Sequence, residues 1–308
     1  MTLTEAEMPP RPGLPAAPAQ EGRAAASPIR AALKVFVQNR LAVLGLVLVV
    51  LIVLFCFVGP LVYHTDQVHT NLDQVTLPPG AGHPVGTDSV GYDELGRLMA
   101  GGQTSLEVGL AAALIATLFG SVYGAIAGYV GGVVDGLMMR VTDILLSIPT
   151  LFFLLLMATI FRPSKPVLII VIAVVSWLIP ARLIRGETLT LKIREYVQAA
   201  RGMGAGGPYN LFQHVLPNAI GTIAVNVTFQ IADAILAVAA MSYLGLGVPP
   251  PAADWGGMLS DGVNYSYSGY WWLIYPPGLA IVLTVVAFNF IGDAVRDSFE
   301  SRLRTVRG

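Results

Sequence analysis

The residues that could do chemistry are few, and their spacing suits no catalytic or metal-binding class. His64, His69 and His83 are three of the four histidines. Their spacings of five and fourteen fit no compact metal-ligand motif, so they read as surface histidines of a polar stretch. Cys56 is the single cysteine and sits inside an apolar run, where it acts as a small hydrophobe and leaves no disulfide to form. No HExxH, no GxSxG and no Cys/His cluster occurs, which removes the common hydrolase and metalloenzyme signatures. None of the three lysines, Lys34, Lys165 and Lys192, stands in a GxxxxGK phosphate loop. Any nucleotide hydrolysis serving this chain must come from another one.

What remains is a set of polar residues in or beside apolar runs. Asp143 follows Arg140 by three residues and Arg296 follows Asp293 by three, a spacing that puts each pair on one helix face as a structural charge pair. Asp233 is different, because its run offers no basic partner. Asn226 and Gln230, seven and three residues earlier, fall on a similar face. The three together are the candidates for lining a solute pathway.

The elements that must position these residues are membrane spans. Of the 308 residues 55% are hydrophobic and 12% charged, too apolar for an ordinary soluble domain. The apolar residues come in uncharged blocks: Leu41–Val62, Val108–Val134, Ile144–Phe161 and Pro166–Ala181. A fifth runs from Leu216 to Ala232, is broken by Asp233 and resumes to about Val248; Tyr270–Ile291 is the sixth. About 20 apolar residues cross the hydrocarbon core as a helix. The expected fold is therefore all-α, integral to the membrane, with six transmembrane helices.

Lysine and arginine resist translocation, and their distribution sets the orientation. With the N-terminus inside, 15 of the 18 basic residues fall on the cytoplasmic side and three, Arg97, Arg162 and Lys165, outside. Both termini are then cytoplasmic. Residues 1–28, rich in Pro and Ala, read as a disordered tail, and residues 29–63 as the region of the first span. Residues 64–103 form an external loop with little regular structure, 104–297 a five-span domain, and 298–308 a second cytoplasmic tail. Trp271, Trp272 and Tyr275 sit where aromatic rings favour the membrane interface. The net charge of −1 suggests no nucleic-acid partner.

Ala112, Ala116, Gly120, Gly124, Gly128 and Gly132 recur every four residues in the second block. That periodicity makes a smooth groove on one helix face, a seam for close packing of a second helix. The most informative polar segment is 182–217. Within it Lys192–Met203 has helical periodicity, with Ile193, Tyr196, Val197 and Ala200 as an apolar stripe. Gly204, Gly206, Gly207 and Pro208 end that helix, and a second short one leads to Leu216-Pro217. Periodicity alone leaves two uses open: docking into a groove on another protein, or lying on the membrane surface.

The residues here resemble a known pattern. Gln198-Ala199-Ala200, three residues, Gly204, then Leu216-Pro217 is similar to the EAA loop of binding-protein-dependent ABC importers. Gln198 stands at the family's Glu and His214 at an apolar position. The likeness continues through Gly86-Thr87-Asp88 with Asp93 and Arg97, and through Gly128-Tyr129-Val130-Gly131-Gly132 with Asp135, Arg140, Asp143 and Pro149. Further on it includes Ser242–Val248 with Pro250-Pro251 and Trp255-Gly256, then Asn289, Gly292-Asp293 and Arg296-Asp297. In order, these motifs resemble the C-type permease subunit of dipeptide, oligopeptide and nickel importers.

That resemblance implies a type I ABC importer permease fold in the bacterial plasma membrane, and a chain that is itself no enzyme. It implies a B-type permease as heterodimer partner, two ABC ATPase subunits and an extracytoplasmic solute-binding protein. ATP and Mg²⁺ would be used in the ATPases, with no cofactor held here. The coupling helix would be carried by Glu195, Tyr196, Gln198, Ala199, Ala200, Arg201, Gly204, Leu216 and Pro217. The competing class is an ion-coupled secondary transporter in which Asp143 or Asp233 binds a proton.

Overall fold

The computed structural model describes the backbone of residues 36–305 and the side chains of 36–299. The expected tail at 1–28 lies outside the described residues. Within them the chain is helical and contains no strand.

The first helix, α1 (Arg40–Phe57), is capped by Asn39, whose side chain accepts from the amides of Leu41 and Ala42. A short turn, α2 (Gly59–Val62), ends it. The next helix, α3 (Glu94–Val130), has 37 residues, so it is about 55 Å long at ~1.5 Å per residue. That exceeds a hydrocarbon core of roughly 30 Å, and its first turns stand outside the apolar block. The external segment expected over 64–103 is therefore helical in its last ten residues. Asp93 fixes where that helix begins: it accepts from the Gly96 amide at 2.8 Å, and the Tyr63 hydroxyl donates to it at 2.9 Å. His83 Nδ1 also lies 2.9 Å from it. His83 is thus part of a helix cap, and among the described residues no cluster could hold a metal ion.

Two of the expected spans are bent. After α4 (Gly132–Leu146) the chain turns by 83° into α5 (Thr150–Ile160). Pro149 causes this break, because proline excludes the helical conformation from the residue before it and has no amide to donate. Likewise α6 (Lys165–Ser176) meets α7 (Leu178–Leu191) at 41°. Four helical stretches are long and apolar enough to cross a membrane alone, and six result if each bent pair is one span. The remaining elements are α8 (Glu195–Gly202), α9 (Gly207–Asn210), α10 (Ile220–Tyr243), α11 (Trp255–Val263) and α12 (Tyr275–Thr305). Asp233 does not interrupt its helix, and α12 continues well into the region expected as a C-terminal tail.

The long α3 is the hub, packed against α6, α7 and α10, while α12 joins α10 to α1. Val108, Ala112, Ala116, Ile172, Ile235, Val238, Met241 and Trp255 form part of the shared core. Trp272, expected at the interface, is instead buried, and its indole N–H donates to the Thr87 carbonyl at 3.2 Å.

The small-residue seam has an identified partner. A Cβ on Gly120 would lie 2.5 Å from the Trp177 carbonyl oxygen and 2.8 Å from Pro180. On Gly124 it would strike the Ala181 carbonyl, and on Gly128 it would lie 2.8 Å from the Arg185 carbonyl. Helix α7 therefore lies with its backbone directly on α3. Gly132 is not part of this seam, since α3 stops at Val130 and Gly131 takes φ +73°. We expect Gly124→Leu to abolish the folded chain in membranes, because backbone as well as side chains must separate. Gly136→Ala, with nothing within 4 Å, should leave its level unchanged. Detergent-extracted, monodisperse protein from each variant measures both.

Candidate functional site

The segment expected to couple the chain to a partner grows out of α7. Helix α8 begins after a three-residue link beyond Leu191 and is only eight residues long, too short to be stable unsupported. Its support is visible. Val197 and Ala200 are 0% and 6% exposed, and Val197 lies in an apolar cluster with Ile184, Leu191, Leu211, Val215 and Ala219. Tyr129, at the end of α3, packs on the same cluster.

The predicted apolar stripe is accordingly split. Ile193 and Tyr196 are 68% and 43% exposed, while Val197 and Ala200 turn inward. The correction follows from the helix needing its own anchor, which consumes half of the stripe. The outward apolar residues are Tyr196, Ala199 and Met203, spaced i, i+3, i+7 on one face, with Ile193 adjoining.

Polar contacts fix the mounting. The Lys192 ammonium donates to the Gly128 carbonyl at 2.7 Å, satisfying an acceptor near the end of α3. Arg201 Nε donates to the Tyr129 hydroxyl at 3.1 Å, and its guanidinium lies 4.7 Å from that ring's centre. Gln198, in the Glu position of the motif, donates to the Lys192 carbonyl at 2.9 Å. It needs no charge for that role. Gly204 adopts φ +89° and turns the chain into α9. Glu195 is exposed, Leu216 is half-buried, and Pro217 is exposed in the first turn of a 3₁₀ segment that runs into α10.

The charge pairs differ from those expected. Asp143 pairs with Arg182 rather than Arg140, and Asp135 takes Arg185 in a two-pronged pair at 2.5 and 2.7 Å. Helix α7 crosses α4 closely enough for its arginines to reach both carboxylates, which a within-helix spacing rule cannot anticipate. Two cross-links thus hold α7, one helical turn apart. Asp293 forms no ion pair with a described residue; with Arg296, Asp297 and Asn39 it lines a shallow cleft between α1 and α12. Tyr129, Asp135 and Lys192 are visible in the sequence only as motif or helix positions, and nothing there signals the Lys192 and Tyr129 contacts or the Asp135–Arg185 pair, whose members are 50 residues apart.

The supposed pathway trio also separates. Asn226 and Gln230 are 9% and 4% exposed, and Gln230 has a structural partner. Pro180 cannot donate to the Ser176 carbonyl four residues before it. Gln230 Nε2 donates to that orphaned oxygen at 3.2 Å. Gln230 therefore stabilises the bend between α6 and α7. Asp233, one turn further along α10, is exposed and forms no hydrogen bond or ion pair with a described residue.

A family profile described as "Binding-protein-dependent transport system inner membrane component" matches residues 120–305. The chain belongs to this family. A second profile, the N-terminal transmembrane domain of oligopeptide transport permease C, matches residues 27–79. The oligopeptide transport system permease protein OppC of Bacillus subtilis is 39% identical over 269 residues, 87% of this chain and 88% of that protein. OppC of Salmonella typhimurium is 42% identical over 271 residues, 87% of this chain and 89% of the relative. A solved structure, titled as inward-facing conformations of the MetNI methionine ABC transporter, shares the fold. Its TM-score is 0.53 at 20% identity, covering 64% of this chain and 94% of that one. The mounting of α8 described above thus lies wholly within the stretch matched by the family of inner-membrane transport components.

In such a component, a helix that transmits force must not slide on its base. Val197→Asp places a charge in the apolar anchor and should release α8. Amide hydrogen exchange across Glu195–Gly202 is expected to accelerate by about tenfold or more, the equivalent of ~1.4 kcal/mol. Exchange in α3 and α10 should be unchanged.

Proposed function

We propose that the chain forms half of the translocation pathway of an ATP-driven oligopeptide importer, with a B-type permease subunit supplying the other half. Two ABC ATPases bind on the cytoplasmic side at the coupling helices of the two permeases, of which α8 is this chain's, and an extracytoplasmic binding protein delivers solute to the outer loops. Both termini lie in the cytoplasm. The nucleotide and its Mg²⁺ stay in the ATPases, and this chain performs no hydrolysis.

One observation supports this reading above others: an eight-residue helix rigidly mounted on the bundle, yet presenting Tyr196, Ala199 and Met203 outward. A helix serving only to close a loop would turn its apolar residues inward. The small Ala199 at the centre of that face permits close approach of a partner's backbone. Partner movement then acts on α8 and passes to α7 through a continuous chain and a packed joint. Two ion pairs and the glycine seam make α7 move with α3 and α4 as one body.

Asp233 supports the pathway half of the proposal. A carboxylate turned to hydrocarbon costs roughly 2.5–3.5 kcal/mol on insertion scales, so its exposed face belongs against water or the partner permease. Asn226 and Gln230 are not needed for that role.

Two measurements test the proposal. Ala199→Cys, in a chain whose Cys56 is replaced by Ala, should cross-link to an ATPase subunit carrying a cysteine in its docking groove. The yield should change with bound nucleotide, and cross-linking only to lipid would contradict the assignment. Asp233→Ala should lower peptide uptake several-fold in proteoliposomes while the assembled complex is recovered in normal amount. Parental uptake by that variant removes the pathway role, and uptake with no ATPase present favours ion coupling instead.

A further inference from the structure

On the side opposite α8, a cleft of about 370 Å³ opens between the start of α3, the loop after α10 and helix α11. Asp88, Glu94, Asp254, Asp261 and Arg97 are its charged residues. Four carboxylates thus face one guanidinium.

Most of that charge is already used. The Arg97 guanidinium donates to the Pro251 carbonyl at 2.6 Å, approaches Asp88 at 3.7 Å and lies 4.3 Å from the centre of the Tyr92 ring. Asp88 accepts from the amides of Val90 and Tyr92 at 2.9 and 2.8 Å. Asp254 caps α11 by accepting from the Gly257 amide at 2.9 Å. Glu94 and Asp261 are left over. Glu94 is only 2% exposed, lines the cleft, and its carboxyl forms no hydrogen bond or ion pair with a described residue. Asp261 sits exposed at the mouth, also without such a partner.

A buried carboxyl without a hydrogen bond is unfavourable unless something fills the gap. Burial, and next the neighbouring Asp88, push the Glu94 carboxyl well above its usual range; Arg97 opposes this, and Asp93 and Asp261 add to it. Asp261 is raised as well, first by its partial burial. A cation placed against the two groups favours their ionised forms, whereas an anion gains nothing from them. A metal ion finds no ligand cluster here, since no group of His, Cys, Asp and Glu among the described residues is arranged for one. Apolar side chains such as Val248, Met258 and Leu273 share the rest of the wall with the hydroxyls of Ser89, Ser260 and Tyr265. Acidic groups set among apolar and hydroxyl-bearing side chains suit a monovalent organic cation with a partly polar body, such as a short peptide.

We propose that this cleft is an entry subsite for a transported solute, in which Glu94 and Asp261 receive its ammonium or guanidinium group. This deepens, and rests on, the reading of the chain as an importer permease, since it takes the cleft to face the solute's entry side. The group received is the α-ammonium of a peptide or a basic side chain, which share one chemistry. The cleft lies at the C-terminal end of α10, the helix that also carries the exposed Asp233, so the two carboxylate sites share one element.

The test is thiol labelling of the assembled transporter in intact cells, with Cys56→Ala and a reporter, Ala252→Cys, on the exposed cleft wall. A cationic trimethylammonium-ethyl methanethiosulfonate should react about tenfold faster than the anionic sulfonatoethyl reagent, after correction for their rates with a free thiol. Glu94→Gln and Asp261→Asn should each bring the ratio toward parity. Asp261 is exposed, so its variant keeps the test valid even if Glu94→Gln fails to fold. Excess trialanine should slow the cationic reagent, and N-acetyl-trialanine should not. Protection by N-acetyl-lysine amide would assign the site to basic side chains as well as the α-ammonium.

Equal rates for the two reagents, or a ratio unchanged in both variants, overturns the subsite. So does protection by purified binding protein with no solute protecting, which would make the cleft a docking surface for that partner. Labelling requires neither transport nor nucleotide. If it fails while Ala199→Cys still cross-links to the ATPase, only this inference falls; if cross-linking fails as well, the importer reading falls with it.

Discussion

The structure depends on one close contact, the crossing of α7 over the glycine face of α3. Gly120, Gly124 and Gly128 hold no side chain between the two backbones, and a Cβ at any of them meets carbonyl oxygens of α7. In hydrocarbon the hydrophobic effect gives helices no reason to associate, so close packing must supply the attraction. The seam does this over two turns of helix. The other features at this end of the bundle are attached to α7: its arginines reach across to Asp135 and Asp143, and its C-terminal end leads into α8.

That arrangement gives a short helix a firm mounting, as the proposed coupling role requires. Helix α8 is tied to α3 by Lys192 and Arg201, and to α7 and the start of α10 by the apolar plug of Val197. Force applied to its outer face therefore reaches three long elements together. At the far end of α7 the bend at Trp177–Pro180 is secured by Gln230 of α10. Movement of α7 is thereby linked to the helix that carries Asp233, which connects the segment proposed to dock a partner with the region proposed for solute.

Much of this was legible in the sequence, because the bilayer restricts what an apolar block can be. The spans, the four-residue spacing of small residues, and a helix ending at Gly204 each follow from a local rule. Where reading failed, the deciding partner was remote. Arg140 was the obvious match for Asp143, and only the fold brings Arg182 nearer. Gln230 looked like a pathway residue because nothing local reveals that Pro180 leaves the Ser176 carbonyl open 54 residues away. The apolar stripe of α8 was read as one surface, although a short helix must spend part of it on its own mounting. Pro149 was visible, but whether a proline bends a span or merely tolerates one depends on its neighbours.

The central claim is that α8 and α7 move as one body on the α3 seam. Paired spin labels at Ala199 and at Gly136 on α4, in the complete transporter with Cys56 replaced, measure it directly. Nucleotide binding should shift both labels relative to a label at Leu61 beside α1, while the distance between Ala199 and Gly136 stays constant. A change in that internal distance comparable to the overall shift would mean that the helix slides on its base, and the account would be wrong.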